Sequence, residues 1–333
     1  MTNVYITVDT EVWPRAHGWP HTPLPADAKC EREIDCYFWG GNSATKLGLP
    51  FQLQTLVDHG LKATFFVDPL FSYALGLDPL KRVVEAIQSH GQEVGLHMHP
   101  EWLTDPRMPK MPAFRGPYMR EYDDDAQREL IGKGIERLRA AGAADIKTFR
   151  AGSWGANLGT LRALAHHGIR VDSSLNACYD ASLPDLQKRT SLLQPFAVEG
   201  ISEFPLTYFT DRPPTGKREL QICACSSSEL EHVLESAYAE KWNCVVIVSH
   251  SFEFVRVNQL HQGKATVGPM RLLGRRFRSL CKYLAANRDR FQTGALGDAS
   301  PQTTLSTSQP TPLHSNHVRT VGRMISQAVS LVY

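Results

Sequence analysis

Residues 93–100 of this 333-residue chain read Glu93-Val94-Gly95-Leu96-His97-Met98-His99-Pro100, an apolar run that ends in two histidines. In an extended strand, residues i and i+2 point to the same face, so both imidazoles can be aimed at one point. We therefore interpret this stretch as a strand that presents two potential metal ligands at its carboxyl end.

The opening of the chain carries a matching pattern. Residues 4–8 form a short β-branched run, and Asp9 and Glu11 follow it with the same i, i+2 spacing. Two histidines and a carboxylate are a usual ligand set for a hydrolytic metal centre, with one position left open for water. Together the two stretches make a metal-dependent hydrolase the leading hypothesis.

Strands alternate with helices along most of the chain. The hydrophobic pattern predicts strands over 4–8, 62–67, 93–97, 146–149, 169–171 and 243–249, and helices over 52–60, 80–89, 125–141, 158–167, 228–241 and 271–286. Such alternation implies a mostly parallel sheet that is buried on both faces. We therefore expect an α/β fold.

Polar residues cluster at the carboxyl ends of these predicted strands. They are Asp9, Glu11, His97, His99, Arg150, Asp172 and His250. In α/β barrels this rim is where active sites are assembled from separate loops. Seven such placements favour one shared site.

Composition excludes several classes of protein. Hydrophobic residues make up 42% and charged residues 21%, as in a globular enzyme, and a net charge of +2 gives no reason to expect a nucleic-acid partner. The seven scattered cysteines lack the paired spacing of a zinc knuckle and predict free thiols. With neither a recognisable signal peptide nor an apolar run of transmembrane length, the chain is expected to be cytoplasmic.

The composition changes near residue 293. We predict one domain over 1–293, a flexible Ser/Thr/Pro/Gln-rich linker over 294–316, and an amphipathic helix over 317–333. That helix, with apolar residues such as Val318, Val321 and Ile325 at helical spacing, is expected to dock on the main domain or to fray. Weak contact with a membrane surface or a partner is the alternative.

The ordered motifs resemble those of the polysaccharide deacetylase family, also called the NodB-homology or carbohydrate esterase 4 family. The motifs are Thr7-Val8-Asp9-Thr10-Glu11, Gly95-Leu96-His97-Met98-His99-Pro100, Phe149-Arg150-Ala151-Gly152-Ser153-Trp154, Val171-Asp172-Ser173-Ser174 and Ile247-Val248-Ser249-His250-Ser251. The resemblance covers residues 3–292 in order and is similar to the variant associated with surface-polysaccharide synthesis. It implies a distorted (β/α) barrel of about seven parallel strands with a C-terminal extension.

The resemblance also implies a function, the removal of N- or O-acetyl groups from sugars with a divalent metal. By it, Asp9 is the general base and His250 the general acid, and Arg150 holds the base carboxylate. The implied metal ligands are Glu11, His97 and His99. Zinc is the first choice of metal, and iron, cobalt, nickel and manganese also suit this ligand set.

Three positions depart from the family pattern. Glu11 stands where the family usually has Asp, one residue separates His97 and His99 instead of three, and Gly152 replaces a usual Pro. Both histidine spacings can place two imidazoles on one metal. The metal site is therefore still expected, whereas the identity of the sugar is left open.

Other functions remain open at this level. One is an amidase of the same superfamily acting on a non-sugar C–N bond, and another is a carbohydrate-binding relative without catalysis. An unrelated amidohydrolase barrel is disfavoured because its His-x-His pair normally follows the first strand, not the third. Whether the acetylated sugar or glycan is nucleotide-linked, lipid-linked or polymeric is not encoded in these motifs, and neither is the oligomeric state.

Overall fold

The computed structural model describes residues 1–13, 19, 31–41, 47–187, 192–212, 216–261, 264–299 and 309–332. The strands are β1 Thr2–Thr10, β2 Ala63–Val67, β3 Glu93–Met98, β4 Thr148–Ala151, β5 Val171–Asp172, β6 Phe196–Val198, β7 Ile201–Glu203, β8 Tyr208–Arg212, β9 Gly216–Glu219, β10 Cys244–His250, β11 Val255–His261, β12 Lys264–Pro269, β13 Phe291–Thr293 and β14 Leu313–His314. The helices are α1 Glu31–Trp39, α2 Leu49–Asp58, α3 Phe71–Leu75, α4 Leu77–Ser89, α5 Asp124–Ala140, α6 Leu158–His166, α7 Pro184–Gln187, α8 Ser227–Ala239, α9 Arg271–Ala286 and α10 His317–Val332.

The main sheet follows the order β10-β1-β2-β3-β4-β5-β7-β6, and β13 pairs with the start of β1. All of its strand pairs are parallel except β6 with β7. The first three strands are buried along nearly their whole length because helices cover the outside of the sheet and side chains fill the inside. The expectation of an α/β fold with a distorted parallel barrel is confirmed.

Short segments complete the curvature between β7 and β10. The backbone N–H of Thr207 donates to Val246 in β10, and Ile222 and Val248 are joined by a further backbone hydrogen bond. The curled sheet encloses a small apolar interior made of Tyr5, Phe66, Val171, Phe204, Leu206, Cys244, Val246, Val248 and Leu296. The larger core lies between the sheet and the surrounding helices. The interior is therefore packed below the rim where the polar strand ends lie.

Residues 294–299 close the opposite end of the barrel. Leu296 is fully buried in the interior, and its backbone N–H donates to the Thr64 hydroxyl at 2.8 Å. The N–H of Gly297 donates to Glu93 at 3.0 Å. Residues 294–299, at the beginning of the stretch expected to be a linker, are thus part of the barrel, because the Leu296 side chain is buried in its apolar interior. Residues 300–308 lie outside the described residues.

The C-terminal segment docks through polar contacts. β14 pairs with β8, and Arg323 of α10 is 1% exposed between Asp211, at 2.8 Å, and Glu229, at 3.2 Å. The apolar residues Val318 and Val321 remain 80% and 54% exposed. The sequence pattern predicts a helix that docks on the main domain and does not specify which face docks. The described side chains dock through the opposite face because two buried carboxylates of the main domain require a cation.

Two antiparallel hairpins, β8–β9 and β11–β12, project from the main sheet and were not predicted. In the part of the chain described here, no helix combines the length and apolar character needed to cross a bilayer.

Candidate metal centre

Strand register brings the predicted site residues to one level of the sheet. Asp9 pairs with His250 across β1 and β10, and His97 pairs with Arg150 across β3 and β4. Glu11 follows β1 directly. In parallel strands, residues at one level point to the same face. The five side chains therefore converge at the carboxyl end of the barrel, where β/α barrels assemble their sites.

Glu11, His97 and His99 offer ligand atoms that all lie within 4.8 Å of one another. Oε2 of Glu11 is 3.1 Å from Nε2 of His97 and 2.5 Å from Nε2 of His99. All three residues are buried, with at most 5% of each exposed. Two imidazoles and one carboxylate leave a further coordination position open, as in catalytic zinc sites.

One atom in this group tests whether a cation fits. Nε2 of His99 is buried and has no hydrogen-bond partner among the described residues, although the Glu11 carboxylate is close. The two atoms approach each other without the alignment of a hydrogen bond. Ligands that point towards a common centre have this geometry, so the donor set fits a divalent metal.

The charges of this cluster also favour a cation. Burial opposes ionisation of Glu11, but the charge of His99 and the close contacts of both imidazoles outweigh burial and hold the pKa of Glu11 well below its usual range. Burial lowers the pKa of His99, whereas the charges of Glu11 and Glu101 outweigh burial and raise that pKa well above 6.5. Without a metal, protons on the imidazole supply the positive charge that a cation would otherwise provide.

Neighbouring groups orient each ligand. Nδ1 of His97 lies 2.7 Å from the backbone carbonyl of Arg150, and Nδ1 of His99 lies 3.2 Å from Glu101. The indole N–H of Trp13 donates to Glu11 at 2.8 Å. Such contacts fix the ring tautomer so that Nε2 faces the metal position.

Gly152 explains one departure from the family pattern. A Cβ at this position would lie 2.5 Å from the carbonyl oxygen of Met98 and 2.7 Å from ring atoms of His99. No residue with a side chain, including proline, fits without moving the histidine. With only one residue between His97 and His99, the second imidazole packs against the loop after β4.

Asp9 and Arg150 form a buried ion pair. Nη1 of Arg150 is 2.7 Å from Oδ1 of Asp9, and Arg150 is fully buried. Its Nε and Nη2 donate to the carbonyl and the hydroxyl of Ser173, both at 2.9 Å. The Asp-Ser-Ser motif thus helps to hold the arginine, which in turn fixes one oxygen of Asp9.

His250 lies on the other side of Asp9. Its Nε2 is 3.9 Å from Oδ2 of Asp9, and its Nδ1 is 2.9 Å from Oε1 of Glu253. Burial lowers the pKa of His250, but the hydrogen bond and charge of Glu253 outweigh it, and the pKa rises to about 9. A protonated imidazole at neutral pH is a competent proton donor.

Three carboxylates at this site were not among the residues predicted from the sequence. Glu101 contacts His99 and Glu253 contacts His250, whereas Asp68 follows β2 as Glu11 follows β1. Asp68 is fully buried, and one of its oxygens, Oδ2, has no partner among the described residues. Burial raises the pKa of Asp68 to about 7, against the opposing charges of both histidines. The strand-end rule already applied to the other strands identifies Asp68.

Asp172, the remaining polar strand end, faces away from the metal centre. It pairs with Glu203 in the sheet register and accepts a hydrogen bond from the Ser174 hydroxyl at 2.6 Å. Burial raises the pKa of both carboxyl groups, and each is linked to the other by a hydrogen bond. Asp172 therefore supports the loop that carries Ser173 and does not touch either histidine.

No protein-family model matches the sequence, and no curated protein matches it. Among solved structures, a candidate polysaccharide deacetylase from Mycobacterium smegmatis aligns at a TM-score of 0.54 and 17% identity, over 93% of this chain and 94% of that chain. A family 4 carbohydrate esterase from Streptomyces lividans aligns at 0.44 and 13% identity, over 93% and 98% of the two chains. A peptidoglycan N-acetylglucosamine deacetylase catalytic domain from Eubacterium rectale aligns at 0.39 and 13% identity, over 94% and 93%.

The similarity to the mycobacterial protein extends over nearly the whole of both chains. The other two scores lie below 0.5 and do not establish a common fold by themselves. With its curled parallel sheet, the chain therefore has the fold of the polysaccharide deacetylases, the NodB-homology or carbohydrate esterase 4 fold.

Proposed function

We propose that this protein is a metal-dependent deacetylase that hydrolyses an N-acetyl or O-acetyl group on a sugar of a surface polysaccharide or its precursor. One observation carries the proposal. Three buried ligands converge within 4.8 Å, directly beside a carboxylate held by an arginine and an imidazole held by a glutamate.

Glu11, His97 and His99 would hold the divalent metal, for which zinc is the first choice. When bound, such a metal polarises the acetyl carbonyl and lowers the pKa of water. The ligand set alone does not select zinc over iron, cobalt, nickel or manganese.

The protein side chains divide the proton transfers. Asp9 has one oxygen fixed by Arg150, and its second oxygen, facing His250, is placed to accept a proton from the attacking water. His250 carries a proton at neutral pH and is placed to give it to the departing amine or alcohol. Glu253 accepts a hydrogen bond from Nδ1 of His250, and this contact keeps Nε2 of the ring directed towards the site.

A sugar is the proposed substrate because the mycobacterial structure, which is similar in fold, is described as a polysaccharide deacetylase. A non-sugar amide and a binding role without catalysis are the alternatives. A cytoplasmic location is part of the proposal and is supported by five cysteines that form no disulfide among the described residues, namely Cys178, Cys223, Cys225, Cys244 and Cys281.

The proposal is tested by metal analysis of the purified protein and by acetate release from a panel of N-acetylated sugar nucleotides and glycans. The double variant His97→Ala, His99→Ala should lose bound metal and acetate release together. His166→Ala with His167→Ala is the matched control, since these two adjacent rings lie 5.0 Å apart at the end of α6, away from the site.

Full acetate release by the His97/His99 variant would contradict the metal assignment. Bound metal without acetate release from any sugar, but with turnover of simple amides, would favour the amidase alternative.

A further inference from the structure

A cleft on the outside of the barrel carries cations that the proposed hydrolysis does not use. It has a volume of about 310 Å³ and is lined by Leu47, Phe51, Phe254, Pro269, Met270, Arg271, Gly274, Arg275 and Arg278. We refer to this surface as the arginine cleft. Its size is at the lower end of the range for small-ligand pockets.

The floor of the arginine cleft is apolar. The ring of Phe254 packs on Phe51 at 5.4 Å and on the buried Phe277 at 5.4 Å. Leu47, Pro269 and Met270 complete the floor, so the three arginines supply all of the charged side chains in the lining. A ligand for this cleft needs an apolar part and a negatively charged part.

The cations lie along one face of α9. Arg271, Arg275, Arg278 and Lys282 are all exposed, and their spacing places them within an arc of about 60° on a helix of 3.6 residues per turn. The helix contains neither aspartate nor glutamate. Arg276 points elsewhere, since it is buried and donates to the carbonyl of Ile222 at 2.6 Å.

This arrangement is unfavourable for the helix itself. Like charges four residues apart repel each other, and cations in the first turns oppose the helix dipole. Within the described ranges, no carboxylate lies within ion-pair distance of Arg271, Arg275 or Arg278, and only Arg278 has a described contact, over the ring of Phe51. An anionic ligand would relieve the repulsion.

The arginine cleft lies at the same end of the barrel as the candidate metal centre. The backbone N–H of Met270, just before α9, donates to the carbonyl of Phe254, four residues after His250. α9 then runs to β13, which pairs with the first residues of β1 at the opposite end. The amino end of α9 therefore faces the rim.

We propose that the arginine cleft binds an anionic phospholipid, so that this rim of the barrel lies against a membrane surface. The three arginines would contact the phosphate headgroup, and the apolar floor would take part of an acyl chain. A soluble phosphate ester would use the arginines but leave the floor without a partner. The cleft is too small for a helix or strand of a protein partner. This site goes beyond the proposed hydrolysis and does not depend on it.

The test is flotation of the full chain with lipid vesicles, an assay that measures membrane binding and does not depend on enzymatic activity. The protein should bind vesicles of phosphatidylcholine with phosphatidylglycerol, bind those of phosphatidylcholine alone weakly, and be released by salt. The triple variant Arg271→Gln, Arg275→Gln, Arg278→Gln should bind roughly a hundredfold more weakly, about fivefold for each charge near an anionic leaflet. A second variant, Leu47→Ser with Met270→Ser, should lose about tenfold through the floor.

The matched control removes three other exposed charges, in Lys81→Gln, Arg139→Gln, Lys241→Gln, and should bind as wild type does. Equal loss in both triple variants would overturn the proposal, because net charge alone would then explain binding. Inorganic phosphate binding at the three arginines without vesicle binding would overturn it in favour of a soluble phosphorylated ligand. Vesicle binding that fails while acetate release persists would refute only this site, not the proposed deacetylase.

Discussion

Replacing Glu253 by glutamine tests the assignment of His250 as the proton donor. Glu253 lies 2.9 Å from Nδ1 of His250 and is the largest favourable influence on its protonation, which raises the pKa to about 9 from an ordinary 6.5. Glutamine retains the size of the side chain and removes its charge. The pKa of His250 should therefore fall towards its ordinary value.

The size of the effect follows from the protonated fraction of the imidazole. At pH 8 this fraction falls from about 0.9 to about 0.03 when the pKa moves from about 9 to 6.5, so turnover should drop roughly 30-fold. At pH 6 both proteins are mostly protonated, and turnover should differ by less than about twofold. A metal bound nearby would lower both pKa values, and the difference between the proteins would remain.

The same contact affects stability with a defined sign. Because the pKa of His250 is raised in the folded state, its stabilising contribution is complete below pH 6.5 and is lost as the pH rises through about 9. This contribution to the free energy of unfolding is at most roughly 3 kcal/mol, because solvent at the 22% exposed imidazole weakens the interaction. Denaturant unfolding of the metal-free variant should therefore show a deficit at pH 6 that shrinks at higher pH.

The assay is kcat as a function of pH, with Glu240→Gln, at the exposed end of α8, as the matched control. If kcat fell at the same alkaline pH in wild type and Glu253→Gln, the reasoning would be refuted, because the Glu253 carboxylate would then not control the pKa of His250. A uniform loss of kcat at all pH values would show that Glu253 only holds the loop in place.

Three further predictions concern single residues. Asp68→Asn should weaken metal binding about tenfold in a competition with a chelating dye, because it removes a buried negative charge beside the ligands; unchanged affinity would show that the orphan oxygen faces elsewhere. Gly152→Ala should displace His99 and lower metal affinity more than Ala151→Gly does, and equal affinities would contradict the close packing. Arg323→Met should lower the free energy of unfolding by about 3–5 kcal/mol, since it leaves two buried carboxylates without a cation; a change below about 1 kcal/mol in denaturant unfolding would show that α10 contributes little.

Much of the fold was predictable because it depends on local periodicity. β3 was predicted over 93–97 and spans Glu93–Met98, and α9 was predicted over 271–286 and spans Arg271–Ala286. Alternation of strands and helices then leaves few arrangements other than a parallel sheet. The two hairpins were not predicted from the sequence because antiparallel pairs such as β11–β12 lie outside the repeating strand–helix unit.

The common direction of the His97 and His99 imidazoles was also predictable, because the i, i+2 spacing in a strand fixes it before any packing occurs. The carboxylates around them were harder to identify. Glu101 and Glu253 are close in sequence to the histidines they contact, but a 3₁₀ turn after each strand brings them back to the ring. That turn is a property of the folded loop and not of residue spacing.

The sequence by itself determined the order of the repeating strand–helix units, the polar residues at their strand ends and the two histidines on one face, since each depends on the geometry of a single element. The tertiary structure decided what those residues touch. It placed Glu11 on the histidines across 86 positions of chain, Arg150 on Asp9 across 141, and Arg323 in a buried carboxylate pair. Contacts of this range depend on strand register and helix docking, which arise from packing of the whole barrel, so no local pattern records them.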